Sequence, residues 1–286
     1  MDSKKFRLWN KVTALAVLAV SAFTYLSTIE PTASFWDCGE FIASSYKLEV
    51  GHPPGNPVFQ LIARFFTMFT GPDKAAVMVN SMSAVCSALT IFFLYLTIVF
   101  LVKRVIVPKR GGEGEESEYS LGQAIAIYGS GAVGALAYCF SDTFWFSAVE
   151  GEVYAMSSLF TAMVVWAMTK WYEETDRRYS NRWIVLISFL MGLSIGVHLL
   201  NLLAIPMLVY MYYFKMREDK PYSFWEYVKI LAISAVILAV ILFVMVPYIP
   251  KTAAYFDLFF VNTLGLPYNT GAAFFIIVLL ASCFWG

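Results

Sequence analysis

Charged residues are scarce in this chain of 286 residues: Asp, Glu, Lys and Arg make up 14% of it, while hydrophobic residues make up 59%. Long polar segments are also missing. The largest one, residues 30–76, leaves no room for a separate soluble domain. Alternation of apolar and polar residues, the pattern of half-buried strands, is absent as well. Together these absences exclude a soluble enzyme and favour helices in a membrane.

Histidine and cysteine are rare too, with two His and four Cys residues. The cysteines, at positions 38, 86, 139 and 283, have no spacing typical of metal ligands. We therefore expect free thiols in packing positions, with a disulfide between Cys38 and Cys139 as the alternative.

Apolar runs of about 20 residues match the hydrocarbon thickness of a bilayer. The predicted spans are 12–29, 77–102, 121–141, 153–169, 184–197, 199–214, 227–246 and 272–286, the last of them cut off by the end of the chain. The stretch 184–214 is too long for one untilted crossing, so we interpret it as two short helices that turn near His198–Asn201. The sequence predicts an all-α polytopic membrane protein with a single transmembrane domain, 1–286, and we interpret it as a fragment of a longer protein.

The basic residues support this topology. All but Lys47, Arg64, Lys74 and Lys251 of the 20 Lys and Arg residues fall on the side of the N-terminus, which predicts a cytoplasmic N-terminus by the positive-inside rule. A signal peptide cleaved near residues 20–22 is an alternative for the first span and leaves the orientation unchanged. The acidic run Glu113–Glu118 is then cytoplasmic, and we interpret it as a flexible linker.

The same topology brings polar residues from several segments to the outer ends of the helices. They are Asp37, Glu40, His52, Asp142, Glu150, Glu152, His198 and Asn201. Ionisable groups at membrane depth are costly and tend to mark pathways or sites. We therefore expect the extracytoplasmic loop 30–76 to hold a functional site.

This loop is expected to contain a helix over residues 35–48 that lies in the membrane interface. Ser34 would cap it, Asp37 would be its third residue, and its apolar face, with Trp36, Phe41 and Leu48, would lie against lipid or the bundle. Taken singly, each candidate also has a structural interpretation. The alternatives are helix capping for Asp37, an ion pair with Lys47 for Glu40, a turn position for His52 and a bond to a carbonyl for His198.

Four motifs in this order resemble a known family. The motifs are Asp37-Cys38-Gly39-Glu40-Phe41, His52-Pro53-Pro54-Gly55-Asn56-Pro57, Glu152-Val153-Tyr154-Ala155, and His198 after a glycine-rich helix. The chain thus resembles the bacterial unknown-function family 2723, which is related to an animal protein O-mannosyltransferase. That family is similar to the polyprenyl-phosphate-sugar-dependent glycosyltransferases of the C superfamily.

The resemblance implies a glycosyltransferase-C-like helix bundle in the bacterial inner membrane. It would move a sugar, mannose or a similar hexose, from a polyprenyl phosphate in the outer leaflet to Ser or Thr hydroxyls of a secreted or periplasmic protein. Asp37 would be the base and Glu40 its catalytic partner or a sugar ligand. The motif residues His52, Asn56, Glu152, Tyr154 and His198 would bind substrate. From their position in the loop or at the outer helix ends, and not from the motifs, we also expect Arg64, Glu150 and Asn201 to bind it.

Arg64 is the first choice for gripping the lipid phosphate, since a guanidinium donates two parallel hydrogen bonds, and Lys47 is the second. A divalent metal is an alternative source of positive charge, although the sequence requires no cofactor. We expect no nucleic-acid partner. Two other classes of function stay open: a transporter or lipid flippase, which predicts ionisable groups at mid-span and an internal repeat, and a non-catalytic membrane scaffold.

Overall fold

The computed structural model describes residues 1–107, 119–175, 178–217 and 223–285, which fall into two compact units, Met1–Ala204 and Ile205–Gly286. The regular structure of the described residues is helical throughout. Four helices are long and apolar enough to cross a membrane: Ser3–Ser27, Pro72–Ile106, Leu199–Met216 and Phe224–Asn262. The predicted class, an all-α polytopic membrane protein, is therefore confirmed. The expected acidic linker Glu113–Glu118 lies outside the described residues.

The described residues of the first unit form eight α-helices. They are α1 (Ser3–Ser27), α2 (Cys38–Lys47), α3 (Pro57–Thr67), α4 (Ala75–Ile106), α5 (Leu121–Cys139), α6 (Asp142–Ala148), α7 (Val153–Glu174) and α8 (Asn181–Ile195). Helix α4 is the central element, because α1, α5 and α7 all pack along it. The bend between α5 and α6 is 70°, and the two form a fifth candidate span if they are counted together.

Hydrogen bonds fasten the two ends of this bundle. At one end the N-terminal ammonium donates to the carbonyl of Tyr119 (2.7 Å), and the Tyr119 N–H donates to the carbonyl of Met1 (3.0 Å). At the other end the Tyr25 hydroxyl donates to the carbonyl of Cys139 (2.9 Å), and the Glu30 N–H donates to the carbonyl of Val149 (3.0 Å). We call these the N-terminal end and the loop end, because the second carries residues 28–74.

The second unit consists of α9 (Ile205–Met216), α10 (Phe224–Val240), a π-helical turn at Ile241–Met245, α11 (Val246–Asn262) and α12 (Thr270–Trp285). Asp257 on α11 accepts hydrogen bonds from the N–H groups of Asn269 (3.2 Å) and Gly271 (3.1 Å), which satisfies donors at the start of α12. A Cβ on Gly271 would lie 2.2 Å from the Phe256 carbonyl oxygen, so only glycine permits this close approach of α11 and α12.

The helices differ from the predicted spans in one main respect. The span 227–246 was expected to end at Val246, but helical structure continues from Phe224 to Asn262. Two prolines stand in α11: Pro247 directly follows the π-helical turn Ile241–Met245, and Pro250 lies within the helix. Between α8 and a 3₁₀ turn at Leu199–Ala204, the helix is interrupted at residues 196–198. Membrane crossing by each of the eight spans stays a prediction.

Helices α4 and α5 approach each other at small residues. A Cβ on Gly131 would lie 2.7 Å from Val99 Cγ2 and 2.9 Å from the Tyr95 ring, whereas a Cβ on Gly129, two residues earlier, would meet nothing within 4 Å. Close backbone approach at glycine is a common way to pack helices in membranes.

We therefore predict that Gly131→Ala destabilises the protein by about 1–3 kcal/mol, because the added methyl overpacks the contact. The matched control, Gly129→Ala, should be neutral or slightly stabilising, since alanine favours helix. Thermal unfolding in detergent measures both. Equal melting temperatures for the two variants would contradict the packing.

Candidate functional site

The loop between α1 and α4 is fixed to the bundle at two points. The Asn80 side-chain amide on α4 donates to the carbonyls of Glu30 (2.7 Å) and Thr32 (3.1 Å). At the start of α3, the Val58 N–H donates to the carbonyl of Gly196 (2.8 Å), just after α8. A Cβ at Gly196 would lie 2.6 Å from Val58 Cγ2, so glycine is needed there. The loop is therefore held against α4 and α8, whose ends are far apart in sequence.

Helix α2 begins later than expected. It starts at Cys38, with Asp37 as its N-cap residue, and Trp36 adopts a left-handed conformation (φ 59°) immediately before it. The expected helix from Phe35, capped by Ser34, is therefore wrong, because the left-handed residue reverses the chain at this point. The Asp37 side chain makes no capping hydrogen bond, so the capping alternative for Asp37 is wrong as well.

The apolar residues predicted for this helix have different surroundings. Phe41 is buried against the bundle, whereas Trp36 and Leu48, which flank α2, are 90% and 55% exposed, and contact of these two with lipid stays a prediction. Ser44 is buried and accepts a hydrogen bond from Gln60 of α3 (3.2 Å). The inner face of α2 is therefore set by packing against α3.

Three side chains of the loop meet in a cluster of Asp37, Glu40 and His52. Glu40 Oε1 accepts a hydrogen bond from the His52 backbone N–H (2.7 Å), and His52 Nδ1 lies 3.1 Å from both Glu40 carboxylate oxygens. The other ring nitrogen, Nε2, lies 4.0 Å from Asp37 Oδ2. The imidazole thus stands between two carboxylates. The alternative pairing of Glu40 with Lys47 is wrong, since Lys47 pairs with Glu49 (3.7 Å).

Charge and hydrogen bonding shift the titration of this cluster. The backbone N–H and the ring of His52 lower the pKa of Glu40. Conversely, the hydrogen bond to Glu40, with smaller contributions from the charges of Glu40, Asp37 and Glu152, raises the pKa of His52. An imidazolium flanked by carboxylates is the favoured form at pH values below that raised pKa.

A glycine at position 51 allows the two chain segments that carry Glu40 and His52 to approach each other closely. A Cβ on Gly51 would lie 3.1 Å from Glu40 Oε1 and 3.2 Å from Gln60 Nε2. After His52, Gly55 adopts φ +82° and donates its N–H to the His52 carbonyl (2.9 Å), closing the turn. His52 therefore stands on a rigid turn and also points its ring into the cluster.

Two buried carboxyl groups lie directly behind this cluster. Glu150 and Glu152 are 4% and 5% exposed, and Cys38 Sγ lies 3.8 Å from Glu150 Oε2 and 3.6 Å from Glu152 Oε1. Burial raises the pKa of both carboxyl groups and of the Cys38 thiol. Cys38, which immediately follows Asp37, therefore joins the outer loop to the segment before α7. All four cysteines are free thiols, as expected.

The aromatic rings of Tyr154, at the start of α7, and His198, just after α8, lie against each other. Their ring centroids are 5.5 Å apart, and His198 Nδ1 accepts a hydrogen bond from the Leu200 N–H (3.2 Å). The alternative of a bond from this nitrogen to a carbonyl is therefore wrong. Burial lowers the pKa of His198. The contact joins His198, just after α8, to the start of α7, two residues after Glu152.

The remaining predicted binding residues have different surroundings. Asn201 is 1% exposed, and its Oδ1 accepts hydrogen bonds from Ser157 (3.2 Å) and Thr161 on α7, so it braces the bundle. Arg64 donates to the carbonyl of Tyr46 and stacks 5.2 Å from that ring's centre, which ties α3 to α2. Asn56 is 5% exposed, and its side-chain amide finds no hydrogen-bond partner within the described residues.

The cluster fits general acid–base chemistry and, by composition, a divalent cation. One ligand atom each from Asp37, Glu40 and His52 lie within 4.8 Å of one another, and all three residues are exposed. Oxygen-rich groups with one imidazole suit hard or borderline cations. Sequence reasoning missed Cys38 as a site residue, although its position inside the acidic motif was a signal.

The fold and the site define the class: an all-α membrane protein with a polar cluster in a loop at one end of its bundle. Within that class the chain belongs to the family described as the protein O-mannosyl-transferase TMEM260 N-terminal domain, which matches residues 37–221. The matched range begins at Asp37 and includes every predicted site residue. The predicted resemblance to a protein O-mannosyltransferase-like family is therefore confirmed.

Two curated relatives agree with this family. The chain is 24% identical over 231 residues to the protein O-mannosyl-transferase tmem260 of Dictyostelium discoideum, covering 77% of this chain and 24% of the relative. It is also 24% identical over 185 residues to the protein O-mannosyl-transferase TMEM260 of Mus musculus, covering 64% of this chain and 23% of the relative. The chain thus spans about a quarter of the length of these relatives. No solved structure matches it.

The cluster makes a direct prediction about titration. In Glu40→Gln, the pKa of His52 should fall toward the ordinary histidine value of about 6.5, because the hydrogen bond and charge that raise it are weakened. The chain has only two histidines, so NMR titration of the ring signals in micelles can follow both, with His198→Gln for assignment. The pKa of His198 should stay unchanged and acts as an internal control. An unchanged pKa for His52 would rule out the contact.

Proposed function

We propose that this chain carries the catalytic site of a membrane glycosyltransferase. The enzyme transfers a sugar, mannose or a similar hexose, from a polyprenyl phosphate to Ser or Thr hydroxyls of a secreted protein. The reaction takes place at the extracytoplasmic face, in the bacterial inner membrane. The observation that carries the proposal is the cluster of Asp37, Glu40 and His52, which lies at the start of the region matched by the family. The names of the two relatives support the reaction class.

In this proposal Asp37 acts as the general base. Its carboxylate is exposed and free of capping duties, so it can accept the proton of an acceptor hydroxyl. The hydroxyl oxygen forms a bond to the anomeric carbon of the sugar as the bond from that carbon to the phosphate oxygen breaks. The electron pair leaves with the polyprenyl phosphate, and the configuration at the sugar carbon is inverted.

His52 and Glu40 assist from the other side of the cluster. Glu40 fixes the His52 ring through Nδ1 and the backbone N–H, so it acts as a positioning residue. Below its raised pKa, His52 is an imidazolium whose Nε2 can donate to the leaving phosphate. Arg64 is engaged by Tyr46, which makes His52 the better candidate for phosphate contact. Alternatively, with the His52 ring neutral, Asp37, Glu40 and His52 would hold a divalent cation, which would supply the positive charge to the phosphate.

A cavity below the cluster suits the lipid part of the donor. It has a volume of about 430 Å³ and lies between α4, α5 and α7. It begins at Tyr154 and Leu200, beside His198, and runs past Ser158 and Ala162 to Val165. Its walls are mainly apolar, as an isoprenoid chain requires. The sugar phosphate would then lie near Glu152 and the cluster.

The base is tested by Asp37→Asn, with Asp142→Asn as the matched control on an exposed carboxylate at the same end. Loss of a general base costs about 10²–10⁴-fold in rate, so transfer of hexose to secreted proteins should fall at least about 100-fold in Asp37→Asn alone. Glycan analysis of secreted proteins measures this, with membrane amounts checked by immunoblotting. Full transfer by Asp37→Asn would refute the assignment. Unchanged glycans after deletion of the whole protein would refute the enzyme and favour a transporter or scaffold.

The lipid cavity is tested by Ala162→Leu, which narrows it, and by Ala162→Gly, which leaves it open. One misfitting methylene in an apolar pocket changes the ratio of the kcat/KM values of two substrates roughly tenfold or more. The KM for a long-chain polyprenyl donor should therefore rise about tenfold in Ala162→Leu, with a smaller change for a short-chain donor. Kinetics with both donors make the comparison. An equal rise in KM for the two donors would contradict the proposal that the polyprenyl chain lies in this cavity.

A further inference from the structure

A second cavity lies at the N-terminal end of the first unit, away from the cluster. Its volume is about 590 Å³, and it is enclosed by the first half of α1, the last part of α4 and the last part of α7. Four cationic side chains line it: Arg7 and Lys11 from α1, Lys103 from α4 and Lys170 from α7. We call it the basic cavity. The proposed transfer reaction uses none of its residues.

The basic cavity has an excess of positive charge. Among the described residues, Glu173 is the one acidic residue that lines it, and it pairs with Lys170 (2.8 Å), so the four described cations and one carboxylate leave an excess of three positive charges. Arg7, Lys11 and Lys103 form no ion pair with any residue that the structure describes. Like charges that converge on one concave surface repel each other and attract an anion. An anionic group in the cavity would therefore be stabilised by several cations at once.

The inner wall of the basic cavity is apolar. Phe92, Leu96 and Val99 of α4 and Leu15 of α1 contribute to it, below the charged rim. Trp166 also lines the cavity.

We propose that the basic cavity binds an anionic phospholipid from the membrane leaflet at the N-terminal end of α1. The cationic rim recognises the phosphate headgroup, and the apolar wall receives the upper part of an acyl chain. A lipid fits better than a free phosphate, because a soluble anion gains nothing from the aromatic and aliphatic wall. Basic pockets between transmembrane helices on the cytoplasmic side are suited to anionic lipid headgroups, and this is the side that the positive-inside bias predicts for this end.

The test compares two double variants of the protein purified in detergent micelles. Arg7→Gln with Lys103→Gln removes two cations from the cavity rim. Lys4→Gln with Lys5→Gln removes the same charge from the same end, at exposed residues that do not line the cavity. Native mass spectrometry of each protein titrated with phosphatidylglycerol or phosphatidylcholine measures the retained lipid and its affinity.

Each cation near an anionic lipid surface contributes about fivefold in affinity. The cavity variant should therefore bind phosphatidylglycerol about 25-fold more weakly than the unmodified protein, while the control stays within about twofold. Phosphatidylcholine binding should be weak and equal in all three proteins. A thermal melt verifies folding, and Lys11→Gln with Lys103→Gln replaces the first pair if that variant unfolds.

Three results would overturn the proposal. Equal weakening in both double variants would mean a diffuse charge effect without a site. No preference for phosphatidylglycerol over phosphatidylcholine in the unmodified protein would mean that the cavity does not select an anion. In the third result, inorganic phosphate and soluble glycerol phosphate displace the lipid at the same concentration, and the acyl chains add no affinity. This would mean a site for free phosphate. None of these outcomes depends on the transferase reaction.

Discussion

The hydrogen bonds between Glu40 and His52 are the interaction on which the geometry of the loop-end cluster depends. They join α2 to a turn 12 residues away, and both the backbone N–H and the ring of His52 contribute. Ordering a loop costs conformational entropy for every residue that is fixed. Charge-assisted hydrogen bonds from two groups of one residue to one carboxylate offset that cost locally. As a result Asp37 and His52 face each other, although neither lies in a long helix.

The loop also packs against the bundle, and it does so at the buried carboxyl pair of Glu150 and Glu152. Glu150 and Glu152 are almost fully buried, where a charged carboxylate is expensive. Their raised pKa values mean that burial favours the neutral forms, which lowers the cost. The Cys38 thiol lies against both groups. Cys38, the residue after Asp37, thus packs on the segment that begins α7. The exposed cluster therefore lies over a layer of buried polar groups.

Much of this arrangement follows from the sequence, and the failures have identifiable physical causes. Apolar run lengths predicted the helical class, and the clustering of acids and imidazoles at helix ends predicted which segments meet. Side-chain partners were harder, because short-range alternatives compete. Arg64, which we predict to contact a phosphate, donates to the carbonyl of Tyr46, and Asn201, which we predict to contact substrate, accepts from two hydroxyls of α7. The sequence did not indicate these contacts, and both binding roles stay predictions. No periodicity in the sequence encodes such choices.

Local backbone geometry was the other source of error. The left-handed conformation of Trp36 delays α2 by three residues relative to the expected start at Phe35, and nothing in a bulky aromatic residue signals it. Likewise the helix continues past Pro247, which directly follows the π-helical turn Ile241–Met245, although a proline by itself favours a helix end. In both cases tertiary context overrides the local propensity on which the prediction relied.

Helix α4 links the two ends of the first unit and gives them opposite chemistry. Near its start, Asn80 anchors the loop that carries the acids and imidazole, and near its end Lys103 lines the basic cavity. A continuous helix of 32 residues cannot flex much between these points. An orientation that sends the cationic end to the negatively charged leaflet therefore fixes the acidic cluster on the opposite face. In the orientation that the positive-inside rule predicts, the same charge asymmetry would therefore also determine on which side the polar site is exposed.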